Sequence, residues 1–368
     1  CYFCQMKLKQ IALILLISVS YSCSSLKVSK TPTYKVNYLD DYIYPKQVFI
    51  DGNEIGGLSG IDYDGNAYYL ICDQPRKPRF YEANIILKGT TIDTVVFSKQ
   101  HFIKAPKAIN SQTLMDLESI RKVDNGFIIS SEGSITNNKT PMVFYTDSTG
   151  AFIKSASIPE YFTSKGPQKP RNNGVFEGLT KAHLGKGFWV ATELPLELDG
   201  PEPKVFNTTS LIRFTLFNDN GIAIKQLPYK LERLQKLPLL PFGVNGLTDM
   251  LQISENQFLV LERSYSAGYG TNGNVVQLIL ATNNNATNTL SDTILEKNEL
   301  TYLEKEFLFN FKSVKKQLTK KSIDNIEGIT FGPKLPNGNL SLILVSDNNF
   351  NSLGEQLNQF ILLELIPQ

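Results

Sequence analysis

Asp324-Asn-Ile-Glu-Gly-Ile-Thr-Phe-Gly332, followed by Leu342-Ile-Leu-Val-Ser-Asp-Asn-Asn349, is the stretch whose reading decides the fold. A short apolar run behind Glu327, a turn at Pro336-Asn337-Gly338 and an apolar return run ending at Asp347 predict a β-hairpin. Asn-Gly between two apolar runs suits the positive φ angles of a tight turn. Antiparallel pairing sets the start of one strand beside the end of the next, so Glu327 and Asp347 are expected at one end of the hairpin. Two carboxylates held together need a cation, a proton or an exposed rim.

The unit recurs. Glu177-Gly-Leu-Thr180 leads through Gly185-Lys-Gly187 to Phe188-Trp-Val-Ala-Thr-Glu193, and Glu118-Ser-Ile-Arg121 leads through Asp124-Asn-Gly126 to Phe127-Ile-Ile-Ser-Ser-Glu132. Asn245-Gly-Leu-Thr248 with Phe258-Leu-Val-Leu-Glu262, and Gly56-Gly-Leu-Ser59 with Ala67-Tyr-Tyr-Leu-Ile-Cys-Asp73, complete five copies. They start at 56, 118, 177, 245 and 327, at steps of 62, 59, 68 and 82 residues. Strand hairpins repeated at so wide a period predict the blades of a β-propeller. Further strands are expected at 34–38, 47–50 and 359–366, and the termini are expected to share a blade, which removes open sheet edges. The fold class is therefore all-β, a propeller of six blades with five or seven left open, and part of 295–321 reads as helical.

Ahead of the repeats, Met6 offers a start, Lys7 and Lys9 a positive region, and Ile11 to Val19 an apolar core too short to span a bilayer. Residues 1–22 thus read as a signal peptide with extra leading residues, 23–45 as a lipid-anchor leader and 46–368 as the propeller domain. Cys23 stands where a bacterial lipoprotein carries its lipidated cysteine, although Ser20 replaces the usual Leu three residues earlier. The expected location is the cell envelope, as an exported outer-membrane or periplasmic lipoprotein that touches membrane only through its anchor.

Without Lys7 and Lys9, 35 basic residues balance 35 acidic ones, and no basic run offers a footprint for nucleic acid. Beyond the anchor only Cys72 remains, in an apolar strand, so no disulfide framework is possible. The long loops 163–173, 195–207 and 282–288 are of the kind that carries binding on a repeat scaffold.

His101 and His183 lie far apart and outside the repeats, which argues against a Ser–His–Asp triad or a multi-histidine zinc site. Carboxylates remain. Asp73, Glu118, Glu132, Glu177, Glu193, Glu327 and Asp347 are the candidate metal ligands, since propeller symmetry gathers equivalent residues around one axis and an oxygen-rich ring suits Ca²⁺. Asn245, Asn325 and Asn348 are candidate carbonyl ligands. The other reading of Glu-Gly-Leu/Ile-Thr is a blade-building signature whose Glu caps backbone amides of the next blade. Arg79, Arg263 and Glu262 are the candidate catalytic residues, because guanidinium matches phosphate oxygens bidentately; the alternative for each Arg is an ion pair with a neighbouring acid.

Gly57-Leu-Ser-Gly-Ile-Asp-Tyr-Asp64, Asp73 with Arg79-Phe-Tyr81, Asp116-Leu-Glu-Ser-Ile120, Asn173-Gly-Val-Phe-Glu-Gly-Leu-Thr180, Leu261-Glu-Arg-Ser264 and Asp324-Asn-Ile-Glu-Gly-Ile-Thr330 with Val345-Ser-Asp-Asn348 resemble the esterase-like phytase family of exported bacterial propellers. The resemblance runs from about residue 50 to the end. It implies calcium-dependent hydrolysis of a small-molecule phosphate ester. The Glu-Gly hairpin also resembles calcium-dependent lactonase propellers. Gly56 and Asn245 depart from a complete Glu-Gly set. A metal-dependent phosphoesterase, a lactonase-like hydrolase and a non-catalytic cell-surface binding module thus stand as the functional alternatives.

Overall fold

Five four-stranded antiparallel sheets and a two-stranded ribbon, Phe49–Ile50 with Asn53–Glu54, appear in the computed structural model, which describes residues 33–296, 299–351 and 356–368. Blade one holds Leu58–Tyr63, Tyr68–Cys72, Arg79–Lys88 and Thr91–Phe102; blade two holds Leu117–Val123, Gly126–Ser131, Met142–Asp147 and Phe152–Ser155. Blade three comprises Phe176–Lys181, Phe188–Thr192, Leu211–Phe217 and Ala223–Lys230, and blade four Gly243–Ser254, Gln257–Ser266, Asn274–Thr282 and Glu304–Asn310. Blade five takes Ile326–Phe331, Leu340–Ser346 and Asn358–Pro367, with Tyr34–Tyr44 from the other end of the chain as its outer strand.

The architecture is a β-propeller. Its five first strands neighbour one another in a closed ring, blade five against blade one. Each gap between adjacent blades is filled by its own apolar cluster: Leu117 and Phe144 pack with Ile71 and Phe80 between blades one and two, and Leu344 and Leu363 with Leu261 and Leu278 between four and five. Strands buried on both faces explain why the sequence carries near-continuous apolar runs rather than strict alternation. Residues 34–366 form one compact unit.

Among the described residues there are five blades where the spacing predicts six. The terminal strands do not build an extra blade; they supply the third and fourth strands of the 326–346 hairpin. Tyr34–Tyr44, inside the stretch read as leader, is thereby part of the propeller. The long 245–327 step hides no blade either. The described residues of its 295–321 segment, expected to be partly helical, give the outer strand Glu304–Asn310 and a 3-10 turn at Phe311–Ser313. Cys23 and residues 1–22 lie outside the described residues. Among the described residues no helix is long and apolar enough to cross a membrane.

Candidate functional site

Each inner strand carries a β-bulge opposite its second strand, and the bulges set all five repeats in one register. Leu58 faces Cys72, Leu117 faces Ser131, Phe176 faces Thr192, Leu247 faces Glu262 and Ile326 faces Ser346. The next residue on the inner strand is Ser59, Glu118, Glu177, Thr248 or Glu327; the next on the return strand is Asp73, Glu132, Glu193, Arg263 or Asp347. In four blades the return residue's N–H donates to an equivalent carbonyl: Asp73 to Gly57, Glu132 to Asp116, Glu193 to Val175 and Asp347 to Asn325, at 2.7–3.0 Å.

This register corrects the motif alignment. Gly56 and Asn245 are not the positions that replace Glu; Ser59 and Thr248 are. Arg263, not Glu262, holds the equivalent position on the fourth return strand. The glycine after the acid has a separate, steric cause. A Cβ on Gly328 would lie 3.0 Å from Gly60 Cα, and one on Gly60 would lie 2.7 Å from the Glu118 carbonyl oxygen. Neighbouring inner strands meet backbone to backbone there. Glu-Gly therefore joins a blade-building glycine to an acid turned out of the ladder by the bulge.

The acids meet at a cavity of about 840 Å³ whose lining includes Asp73, Asp116, Glu118, Glu177, Glu193, Arg263 and Glu327. Ligand oxygens of Asp73, Asp116 and Glu118 lie within 4.8 Å of one another, as do those of Glu118, Glu132 and Glu177. Glu132 and Asp347 stand behind the lining. Glu132 accepts the Val175 N–H at 2.5 Å, and Asp347 Oδ1 accepts the Asn349 N–H at 2.8 Å. The other Asp347 oxygen has no partner although the residue is only 1% exposed. All seven predicted metal ligands are thus in one cluster, and Asn172, Asn173 and Glu202 bring the 163–173 and 195–207 loops to the same cavity.

Crowding raises the carboxyl pKa values. Burial, followed by the charges of Asp347 and Asp116, pushes Asp73 up to about 8. Burial pushes Glu193 and Glu327 up to about 7, with the Arg263 guanidinium pulling each back down. Glu118, Glu132, Glu177 and Asp347 are held well above the carboxylate range by burial first and neighbouring carboxylates second. Burial also raises Asp116, which shares a hydrogen bond with Asp73. These groups favour a proton, or a cation in its place, near neutral pH.

Of the three candidate catalytic residues, only Arg263 joins them. Its Nη2 lies 3.2 Å from Glu327 Oε1, and its Nη1 donates to Asn325 Oδ1. Arg79 is fully buried away from the lining, donating to the Tyr81 hydroxyl, Gln74 Oε1 and the carbonyls of Lys77 and Glu54 at 2.6–3.0 Å. Glu262 is also elsewhere. It accepts from the Tyr229 hydroxyl at 2.6 Å, Asn245 Nδ2 at 2.8 Å, the Glu232 N–H at 2.9 Å and Lys305 Nζ at 3.2 Å. One residue of register separates it from the cavity-facing position. Asn245 belongs to that latch, and Asn348 Oδ1 accepts the N–H groups of Gly57 and Phe350, leaving Asn325 as the predicted amide that lines the cavity. Asp116 and Asp324 were not singled out as ligands, yet both line it. Asp116 was legible, standing two residues before Glu118 and hence on the same side of the chain.

The donor set fits a hard cation. Every candidate ligand atom is an oxygen, and contacts of 2.3–2.6 Å to one Ca²⁺ leave its ligands at most about 5 Å apart, the spacing of both acid groups. Glu118 is common to the two groups, and the unpartnered oxygen of Asp347 marks further unmet demand for a proton or cation.

No protein of curated function matches the chain. Among solved structures, a β-fructofuranosidase of glycoside hydrolase family 32 from Bombyx mori aligns at 9% identity and TM-score 0.42, over 91% of this chain and 62% of its own. A DUF4221 member from Bacteroides vulgatus aligns at 9% identity and TM-score 0.38, over 91% and 98% of the two chains. A Dyadobacter fermentans protein of unknown function aligns at 11% identity and TM-score 0.39, over 89% and 99%. The family model described as phytase-like, "esterase-like activity of phytase", matches residues 53–350, which span all five inner strands and every carboxylate of the cavity. The chain belongs to this esterase-like phytase family of propellers.

Proposed function

We propose that the protein is an exported, lipid-anchored hydrolase that cleaves phosphoric esters at the acidic cavity with Ca²⁺ as its cofactor. The observation that carries this reading is the gathering of eight carboxylates from four blades at one cavity with a single guanidinium among them. Glu118 would be the central ligand, with Asp73 and Asp116 on one side and Glu132 and Glu177 on the other. When bound, Ca²⁺ supplies polarisation of a phosphoryl oxygen and acidifies a water molecule. Arg263 faces the same space and would hold a second phosphoryl oxygen, its charge otherwise balanced by Glu327. Glu193 and Glu327, with pKa values near 7, can hold or release a proton near neutral pH.

Metal analysis of the purified mature protein and a panel of phosphate esters, with and without chelator, test the proposal. Bound calcium and chelator-sensitive phosphate release are expected. Calcium bound without turnover of any ester or lactone would make the protein a binding module instead. Replacing Cys23 by Ser is expected to move the protein from the membrane fraction to the soluble one; an unchanged membrane fraction would remove the anchor from this proposal.

A further inference from the structure

The cavity's walls differ from its floor. Val244 and Tyr265 of blade four, with Phe242 just ahead of its first strand, line it, and the rings of Phe242 and Tyr265 stand 6.1 Å apart. Phe242 closes a run of apolar side chains turned to solvent: Leu237, Leu239, Leu240 and Phe242 are 58–67% exposed. These residues are held in place by their backbone. Leu239 N–H donates to the Ala267 carbonyl at 2.9 Å, Ala267 N–H to the Phe242 carbonyl at 3.0 Å, and the Tyr269 hydroxyl to the Leu237 carbonyl at 2.9 Å. Gly268, at φ +98°, permits the approach, since a Cβ there would lie 2.6 Å from Leu239 Cβ. Exposed apolar side chains on a fastened backbone, continuous with a cavity, form a ready surface for an apolar group of a ligand.

Charge narrows the choice. Among the described residues, eight carboxylates line the cavity against one basic group, Arg263. A phosphate monoester carries roughly −1.5 to −2 at pH 7, so a polyol bearing six of them brings roughly nine to twelve negative charges. One guanidinium and cations at the two acid groups that share Glu118 can match one phosphoryl group, whereas six phosphoryl groups would call for a cation at nearly every acid of the cavity. We infer that the site takes an ester bearing one phosphoryl group on an apolar, aryl-sized alcohol, with that alcohol against Phe242 and Tyr265, in preference to a polyphosphorylated polyol. The inference rests on the hydrolase reading for its chemistry and on the blade-four wall for its selectivity. In the reaction a water oxygen bonds to phosphorus, the bond from phosphorus to the alcohol oxygen breaks, and that oxygen takes a proton.

The test compares 1-naphthyl phosphate, glycerol 2-phosphate and inositol hexakisphosphate with the full chain in calcium, by phosphate release and by calorimetric binding. Naphthyl phosphate is expected to exceed the hexakisphosphate at least tenfold in kcat/KM. Phe242→Ala is expected to raise KM for naphthyl phosphate on the order of tenfold, the loss of an aromatic contact, and to leave glycerol 2-phosphate unchanged; Phe242→Tyr should keep the preference. Equal or better handling of the hexakisphosphate, or a Phe242→Ala effect shared by all three esters, would overturn the inference. If no ester is cleaved, selective binding of naphthyl phosphate would sink the hydrolase reading and keep the recognition, while equal or absent binding of all three would end both.

Discussion

Two buried charge clusters are built from the same ring of inner strands, and they are solved in opposite ways. Within the ring, Arg121 and Asp249 form a pair that is 0–1% exposed. Arg121 Nη2 reaches both Asp249 oxygens at 2.8 Å, and Nη1 donates to the carbonyls of Ile61 and Ile120 at 2.7 and 2.8 Å. Asp249 also accepts the N–H groups of Ile329 at 2.9 Å and Leu179 at 3.4 Å. One cation and one anion thus tie all five blades together, with only Arg121 Nε left over. At the cavity, many carboxylates crowd one arginine that is already paired with Glu327. A fold gains nothing from uncompensated buried charge, so the second cluster points to something it binds.

The largest expected effect breaks the compensated cluster. Arg121→Met leaves Asp249 buried without its cation and should cost about 3–5 kcal/mol in denaturant unfolding, by the same amount in calcium and in chelator. A loss below about 1 kcal/mol would mean that the ring does not depend on the pair. The comparison would then have no structural side.

Next comes the uncompensated cluster. Glu118 is common to both acid groups, so Glu118→Gln is the sharpest change there. Calcium binding only the folded state adds about 2.7 kcal/mol at a hundredfold excess over Kd; the variant should lose most of that gain while folding normally in chelator. Protons report on the same site. Folded pKa values near 7 for Glu193 and Glu327 and near 8 for Asp73 exceed unfolded values of about 4. Between those limits the folded chain binds more protons at these groups, so their contribution to the stability of the chelated protein is full below about pH 4 and is lost as pH rises through 7 to 8. Melting temperatures from pH 5 to 8 should therefore slope downward in chelator and flatten in calcium. A slope untouched by calcium would make the cluster a proton store, not a metal site.

The difference between the clusters also explains what the sequence could disclose. Glu327 and Asp347 were legible as neighbours because hairpin pairing is local: Ile326 stands opposite Ser346, and the connection beyond Phe331 and Leu342 turns between Leu335 and Asn339. The seven acids followed from repetition. Arg121 and Asp249 lie 128 residues apart, and nothing local links them; their pairing exists only once the ring closes. The spacing left five, six and seven blades open for a related reason. Strands 34–44 and 358–367 read alike whether they complete an existing hairpin or start another, and only tertiary pairing decides. At blade four the acid at 262 masks the register: counted from the phenylalanine that opens the return run, Phe258 to Arg263 is the same step of five as Phe127 to Glu132 and Phe188 to Glu193, and the strand pairing keeps that count.

The smallest expected effect sharpens that exchange. Glu262 has the charge of a cavity acid but a different setting, with its oxygens engaged by Tyr229, Asn245, the Glu232 N–H and Lys305. Glu262→Gln keeps the shape, and one amide oxygen can still accept, but its NH₂ faces the Lys305 ammonium and other donors. The loss should be about 1–3 kcal/mol, the range for hydrogen bonds to a charged group, and equal with and without calcium. Phosphate release should be unchanged, because the side chain lines no part of the cavity. Its neighbour gives the opposite pattern. Arg263→Gln removes the guanidinium that lines the cavity, so ester turnover should fall while chelated stability changes little, Glu327 being free to take a proton. If Glu262→Gln instead weakened the calcium response and Arg263→Gln did not alter turnover, the register drawn from the bulge at Leu247 would be one residue out, and the motif reading that placed Glu262 at the site would be restored.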